Sequence, residues 1–166
     1  MSDSTRWVRA ARTIGQAVRK VLSGRSTAAA TKPRYAGDFT GTPVVDYAPV
    51  DDDLADPGEV VWAWLPFEED HSRGKDRPAL VIGRDGPWVL ALPMTSKDHD
   101  RDAADEARHG RHWVDVGAGG WDRDRRPSEA RVDRILRLDP AAVRRVGARL
   151  DQDRFAEVAS VLKRRS

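Results

Sequence analysis

The sequence predicts a mainly β fold, a small antiparallel barrel followed by a C-terminal helix, and three features predict it. Three apolar runs of strand length, Glu59 to Leu65, Arg77 to Ile82 and Trp88 to Thr95, are rich in Val and Trp and separated by polar or turn residues. A fourth run, Glu129 to Leu138, alternates with Val132, Ile135 and Leu136 as its apolar members. Finally, Phe155, Val158 and Leu162 fall on one face of a helical stretch, Asp151 to Arg165, with Lys163-Arg164-Arg165 at its negative dipole end.

Each element follows from its own residues. The polar stretch Pro66 to Asp76 reads as a loop and Arg84-Asp85-Gly86-Pro87 as a tight turn. If that turn joins two antiparallel strands, Arg77 and Thr95 come to lie side by side at their far ends. Ser96 to Arg111 is strongly polar and reads as a long loop with one helical turn. His112 to Val116 is a short strand ended by Gly117-Ala118-Gly119-Gly120. Asp139-Pro140 has the form of a helix start, an acidic N-cap before proline, so Pro140 to Val146 is expected to be one or two helical turns stopped by Gly147.

Charge separates the first third of the chain from the rest. Residues 1–34 carry eight Lys or Arg against Asp3, and residues 35–59 carry seven acids and no base. The remainder is near balance within a total of +2. In the basic block, Trp7, Ala11, Ile14, Val18 and Leu22 follow helical spacing, giving a cationic amphipathic helix over residues 5–22. Such a helix suits RNA, an anionic membrane, a partner's groove or its own domain. The expected organisation is therefore a basic helix and linker over residues 1–34, an acidic arm or linker over 35–57, and the barrel domain over 58–166. Asp51-Asp52-Asp53 lacks the alternation and glycine of a calcium loop.

Composition excludes several classes. No cysteine is present, which removes disulfides and thiolate metal sites and fits a reducing cytoplasm. No apolar stretch approaches the ~18 residues of a membrane span. His99, His109 and His112 lie among acids but without the spacing of a helical zinc site, so no metal or other cofactor is expected. Ser72 and His71 have no nucleophile elbow around them, and the Gly117–Gly120 cluster precedes no helix that would cradle a phosphate.

Arginine and threonine suffice for one reaction. RNA brings its own nucleophile, the 2′-hydroxyl. The enzyme must then orient the chain, stabilise developing phosphorane charge and move two protons. A guanidinium is planar, permanently charged and matched to phosphate oxygens, and a threonine hydroxyl adds a hydrogen bond to the same group.

Gly58-Glu59-Val60-Val61-Trp62, the polar loop, Arg77-Pro78-Ala79-Leu80-Val81-Ile82 and Leu92-Pro93-Met94-Thr95-Ser96 together resemble the MazF/PemK family of toxin ribonucleases. The likeness spans roughly residues 57–164. It implies an SH3-like barrel of the MazF/PemK/CcdB type, a homodimer, metal-independent cleavage of single-stranded RNA, and inhibition by a partly disordered antitoxin protein. By position, Arg77 matches the family's catalytic arginine and Thr95 its phosphate-contacting threonine. Ser72, Arg73, Lys75, Ser96 and Lys97 fall in the loops expected to shape the RNA groove. The loop before Arg77 departs from the family, which has Gly-Ser-Glu-Gln and then glycine where Asp70-His71-Ser72-Arg73 stands. Glu68, Glu69 and His71 are the candidates to replace the missing glutamate in positioning or proton transfer.

Of Trp62, Trp64, Trp88 and Trp113, any that points outward is a candidate to stack an unpaired base. A different reading of the same barrel is a non-catalytic RNA- or protein-binding module. A third has residues 1–50 acting in cis, the acidic arm mimicking RNA phosphates over the groove.

Overall fold

The apolar runs become the strands of an antiparallel sheet in the computed structural model, which describes residues 34–96 and 103–166, with backbone alone at 145 and 146. The helix expected over residues 5–22, and Lys97 and His99, lie outside the described residues. Tyr35–Ser166 forms one compact unit. Its strands are β1 (Asp38–Phe39), β2 (Glu59–Pro66), β3 (Gly74–Asp85), β4 (Trp88–Thr95), β5 (Trp113–Gly117), β6 (Ser128–Arg131), β7 (Ile135–Leu138) and β8 (Val143–Arg149). The helices are α1 (Ala103–Arg108) and α2 (Gln152–Arg165). The order across the sheet is β1-β7-β4-β3-β2-β8, and β6 branches from the end of β4 to pair with β5.

Two-residue periodicity places an apolar layer on each face of the central strands. Val60, Leu80, Ile82, Leu90, Leu92 and Met94 point to one face, where Phe155, Val158 and Leu162 of α2 cover them. Val61, Ala63, Leu65, Ala79, Val81, Val89 and Ala91 point to the other, joined by Leu136 and Leu138. Small side chains, Ala and Val, dominate the strand residues of the second layer. The predicted mainly β fold with a C-terminal helix is therefore the observed one. Asp151 caps α2, accepting hydrogen bonds from the amides of Asp153 (3.0 Å) and Arg154 (3.3 Å).

Three expectations about single elements are corrected. The loop before Arg77 is shorter than predicted, because β3 starts at Gly74 and Lys75 and Asp76 already pair with Leu65 and Trp64. Glu129 to Leu138 is two strands, since the chain bends after Arg131: β6 pairs with β5 and the end of β4, and β7 with β1 and the first half of β4. Asp139 does cap the turn, accepting from the Ala141 amide at 2.9 Å, but only a single 3₁₀ turn Pro140–Ala142 follows. Val143 to Arg149 is then strand β8 along β2, and Gly147 is inside it rather than at a helix end. A β-branched, Arg-rich segment with an open strand edge beside it gains more from ladder hydrogen bonds than from an isolated short helix.

The acidic stretch ahead of the barrel lies along it. β1 pairs with β7, the Asp46 amide donates to the Ile82 carbonyl (3.2 Å), and the Tyr47 hydroxyl donates to the Leu150 carbonyl (2.9 Å). Asp51, Asp52 and Asp53 line a hollow with Arg84, Arg144 and Arg149. That hollow adjoins the β3–β4 turn and β8, so Arg84, seven positions along β3 from Arg77, takes the nearby carboxylate of Asp56 at 3.2 Å.

Candidate active site

Arg77 and Thr95 occupy the ends of β3 and β4 opposite their connecting turn. Arg77 is two residues before Ala79 and Thr95 two residues after Pro93, and Ala79–Pro93 is the last pair of the β3–β4 ladder. Both share the odd-numbered parity of Ala79, Val81, Val89 and Ala91, so both belong to the second face of the sheet. Each is partly buried. Among the described residues the Arg77 guanidinium has neither a hydrogen-bond partner nor an ion pair. Its neighbour Asp76 points to the opposite face and is held by Arg144 at 2.5 Å.

Beyond Pro93 the end of β4 leaves β3 and pairs with β6, Met94 with Ala130 and Thr95 with Glu129. Directly opposed residues have Cβ atoms about 5 Å apart, so Glu129 stands next to Thr95 on the same face. Arg131 follows on that face and is nearly buried. It donates to Asp133 through Nε and Nη2 (3.0 and 2.6 Å) and forms an ion pair with Glu68 (2.9 Å). Burial by itself would favour a neutral Arg131, but those carboxylates more than compensate and hold its pKa above the usual guanidinium value. Glu129, Arg131 and Asp133 were not singled out from sequence. Their signal was a row of charges at every second position in a run otherwise read for its apolar members.

The loop between β2 and β3 is a closed turn. The Phe67 amide donates to the Arg73 carbonyl (2.8 Å), and Asp70 accepts from the Ser72 amide (3.0 Å) and hydroxyl (2.6 Å). The Ser72 bonds hold the exposed Asp70 carboxyl below its usual range. Glu68 is drawn to Arg131, while Glu69 is exposed. The His71 ring meets Tyr35 edge to face at 5.0 Å. Ser72, Arg73 and Lys75 are exposed, with the Arg73 guanidinium 5.8 Å from the Phe67 ring. Ser96 is partly buried just after β4.

Gly74 closes this loop under Trp64. A Cβ there would lie 2.2 Å from the Leu65 carbonyl oxygen and 2.7 Å from the Trp64 ring. Trp64 is the outward tryptophan, 38% exposed, on the face of β2 opposite Arg77. Trp62 donates its indole N–H to the Trp121 carbonyl at 2.8 Å, while Trp88 and Trp113 are partly buried. Of the histidines considered as ligands, His109 contacts the Asp105 carbonyl through Nδ1 (2.8 Å) and the His112 amide donates to Asp133 (2.7 Å).

Residues 56–165 match the family described as PemK-like, MazF-like toxin of type II toxin-antitoxin system. Among solved structures, MazF from Deinococcus radiodurans (Form-I) is similar at 23% identity and a TM-score of 0.47, over 68% of this chain and 96% of that one. The MazE-MazF structure from the same organism (Form-II) is similar at 21% identity and a TM-score of 0.47, with the same coverage. No curated protein matches. The family match spans about two thirds of the chain and takes in all of β2 to β8 with the Arg77 and Thr95 motifs, and on it this chain belongs to the PemK-like, MazF-like toxins of type II toxin-antitoxin systems.

Proposed function

We propose that this chain is a toxin-type endoribonuclease that cuts single-stranded RNA without a metal ion. The observation that carries the reading is the placing of an arginine, without an ion pair among the described residues, and a threonine at adjacent strand ends on one sheet face. Arg77 neutralises the scissile phosphate and the charge that grows on it, and Thr95 bonds a non-bridging oxygen. The 2′-hydroxyl forms the new bond to phosphorus while the bond to the 5′-oxygen breaks. Glu129, beside Thr95, takes the 2′-hydroxyl proton, and Arg77 or His71 delivers one to the leaving 5′-oxygen. The products carry a 2′,3′-cyclic phosphate and a 5′-hydroxyl. The loop from Glu68 to Lys75, together with Ser96, lies beside these strand ends and selects the sequence cut.

Membership of a toxin-antitoxin family supports an antitoxin protein as the physiological partner, a homodimer as the assembly and the cytoplasm as the compartment. Among the described residues no helix is long and apolar enough to cross a membrane. The competing reading, a binding module without catalysis, draws on the altered loop, where Glu68 is engaged by Arg131.

One experiment separates the two. The full chain and Arg77→Ala are incubated with a long single-stranded RNA in excess chelator and the ends are mapped. Discrete cuts with 5′-hydroxyl ends are expected, and the variant should be slower by on the order of 10³-fold. RNA left intact by folded protein would overturn the enzyme reading in favour of the binding module.

A further inference from the structure

Residues 35–38, ahead of the family-matched span, meet the supports of the loop between β2 and β3. The closed loop Phe67 to Arg73 is tied to the body of the domain at three points. One is the Glu68–Arg131 ion pair. A second is the Pro66 carbonyl, which accepts a hydrogen bond from Arg134 at 2.9 Å. The third is the His71 ring against Tyr35.

Two of these three points depend on residues 35–38. Arg134 is only 7% exposed, and its charge is matched by Asp38, to which it donates from Nε (3.0 Å) and Nη2 (3.2 Å). Tyr35 donates its hydroxyl to the same carboxylate. Arg137 adds a bond to the Asp38 carbonyl (2.8 Å) and lies 5.1 Å from the Phe39 ring. The short strand β1 is thus fixed on β7, with Tyr35 packed on the face that carries Arg77 and Thr95. Tyr35 and Asp38 precede residue 56, where the family match begins.

We propose that Tyr35 and Asp38 are positioning residues for the β2–β3 loop: they fix His71 and Pro66, and through them the substrate side of the candidate active site. The consequence for RNA rests on the ribonuclease reading above, whereas the consequence for the loop does not. Without the strap the loop's own turn bonds still form but open more often. What it loses is its fixed place relative to Arg77, and misplacing a substrate-orienting group by an ångström is costly to rate.

The test uses the full chain with Tyr35→Phe, Tyr35→Ala, His71→Ala and the Tyr35→Ala/His71→Ala double variant. Tyr35→Phe keeps the ring and leaves the Asp38–Arg134 pair in place, which guards against loss of fold. Amide hydrogen exchange is read at Phe67, Ser72 and Arg73, with the β3–β4 ladder as internal reference. Tyr35→Ala is expected to cut protection at these amides by roughly tenfold while the ladder is unchanged, and Tyr35→Phe to behave as wild type. In RNA cleavage, Tyr35→Ala should lower kcat/KM by about tenfold, and the double variant should be no worse than the poorer single one.

Unchanged exchange at the loop in Tyr35→Ala overturns the proposal. So does an additive double variant, which would mean that Tyr35 does not act through His71. If exchange changes as expected but wild type cuts no RNA, the positioning of the loop stands and the ribonuclease reading fails.

Discussion

Glu129 and Thr95 form the pair on which the proton inventory of the proposed reaction turns. Glu129 faces Thr95 across the β4–β6 ladder, and this nearness to the candidate site is the ground for giving it the 2′-hydroxyl proton. Glu129→Gln should therefore lower kcat by about 10²-fold with little change in KM, measured from initial rates on a defined oligonucleotide. An equal rate in the variant would move the role elsewhere. Asp38 is a structural case with a definite pH signature. Burial would raise its carboxyl, but the bonds from Arg134 and Tyr35 outweigh it and hold the pKa below the ordinary value. A folded pKa below the unfolded one means that the stabilisation is complete above about pH 4 and disappears as pH falls through the folded value. Chemical denaturation across pH 3 to 7 should show stability dropping below about pH 4. Asp38→Asn should be less stable at neutral pH, with a flatter acid limb.

At the scale of elements, glycines mark where two backbones or a ring come too close for a side chain. Gly74 lies under Trp64 and the Leu65 carbonyl, whereas a Cβ at Gly120 would meet only the Ala148 methyl at an ordinary 3.5 Å. Gly74→Ala is expected to cost about 1–3 kcal/mol and to lower the melting temperature. Gly120→Ala serves as the near-neutral control, and equal melting temperatures for the two variants would show that Trp64 can move aside. β8 makes the broader point about local signals. Asp139-Pro140 correctly announces a capped turn, yet the residues after it extend because β2 offers an edge to pair with. A cap states where a helix can begin, while neighbouring strands decide how far it runs.

For the whole molecule, the compact unit begins well before the family resemblance does. The match starts at residue 56, but the unit starts at Tyr35, and Arg134 and Arg137 of the barrel take their partners from β1. Deleting residues 1–34 should leave the unit folded. Deleting residues 1–57 removes Asp38 and leaves Arg134 buried without a carboxylate, a loss of about 3–5 kcal/mol. Tyr47 and its bond to the Leu150 carbonyl go as well. Urea denaturation of the two truncated proteins checks this. Equal midpoints would make residues 35–57 a dispensable arm.

Apolar runs, helical spacing and turn chemistry, all short-range signals, account for the features legible before the chain is folded. Apolar runs over residues 59–65, 77–82 and 88–95, broken at Gly86-Pro87, are enough for a hairpin, and a hairpin is enough to bring the ends at Arg77 and Thr95 side by side. The capped helix α2 was legible for the same reason, since cap, apolar stripe and basic end all lie within one stretch of 15 residues, 151–165. Only the tertiary structure decided that β4 ends against β6, which puts Glu129 beside Thr95 and gathers Glu68 onto Arg131. It alone turned residues 143–149 into a strand and made Tyr35 and Asp38 part of the loop's support. These outcomes join residues tens of positions apart, where partner choice depends on which strand edges and buried charges the rest of the chain leaves open, and no local pattern records that.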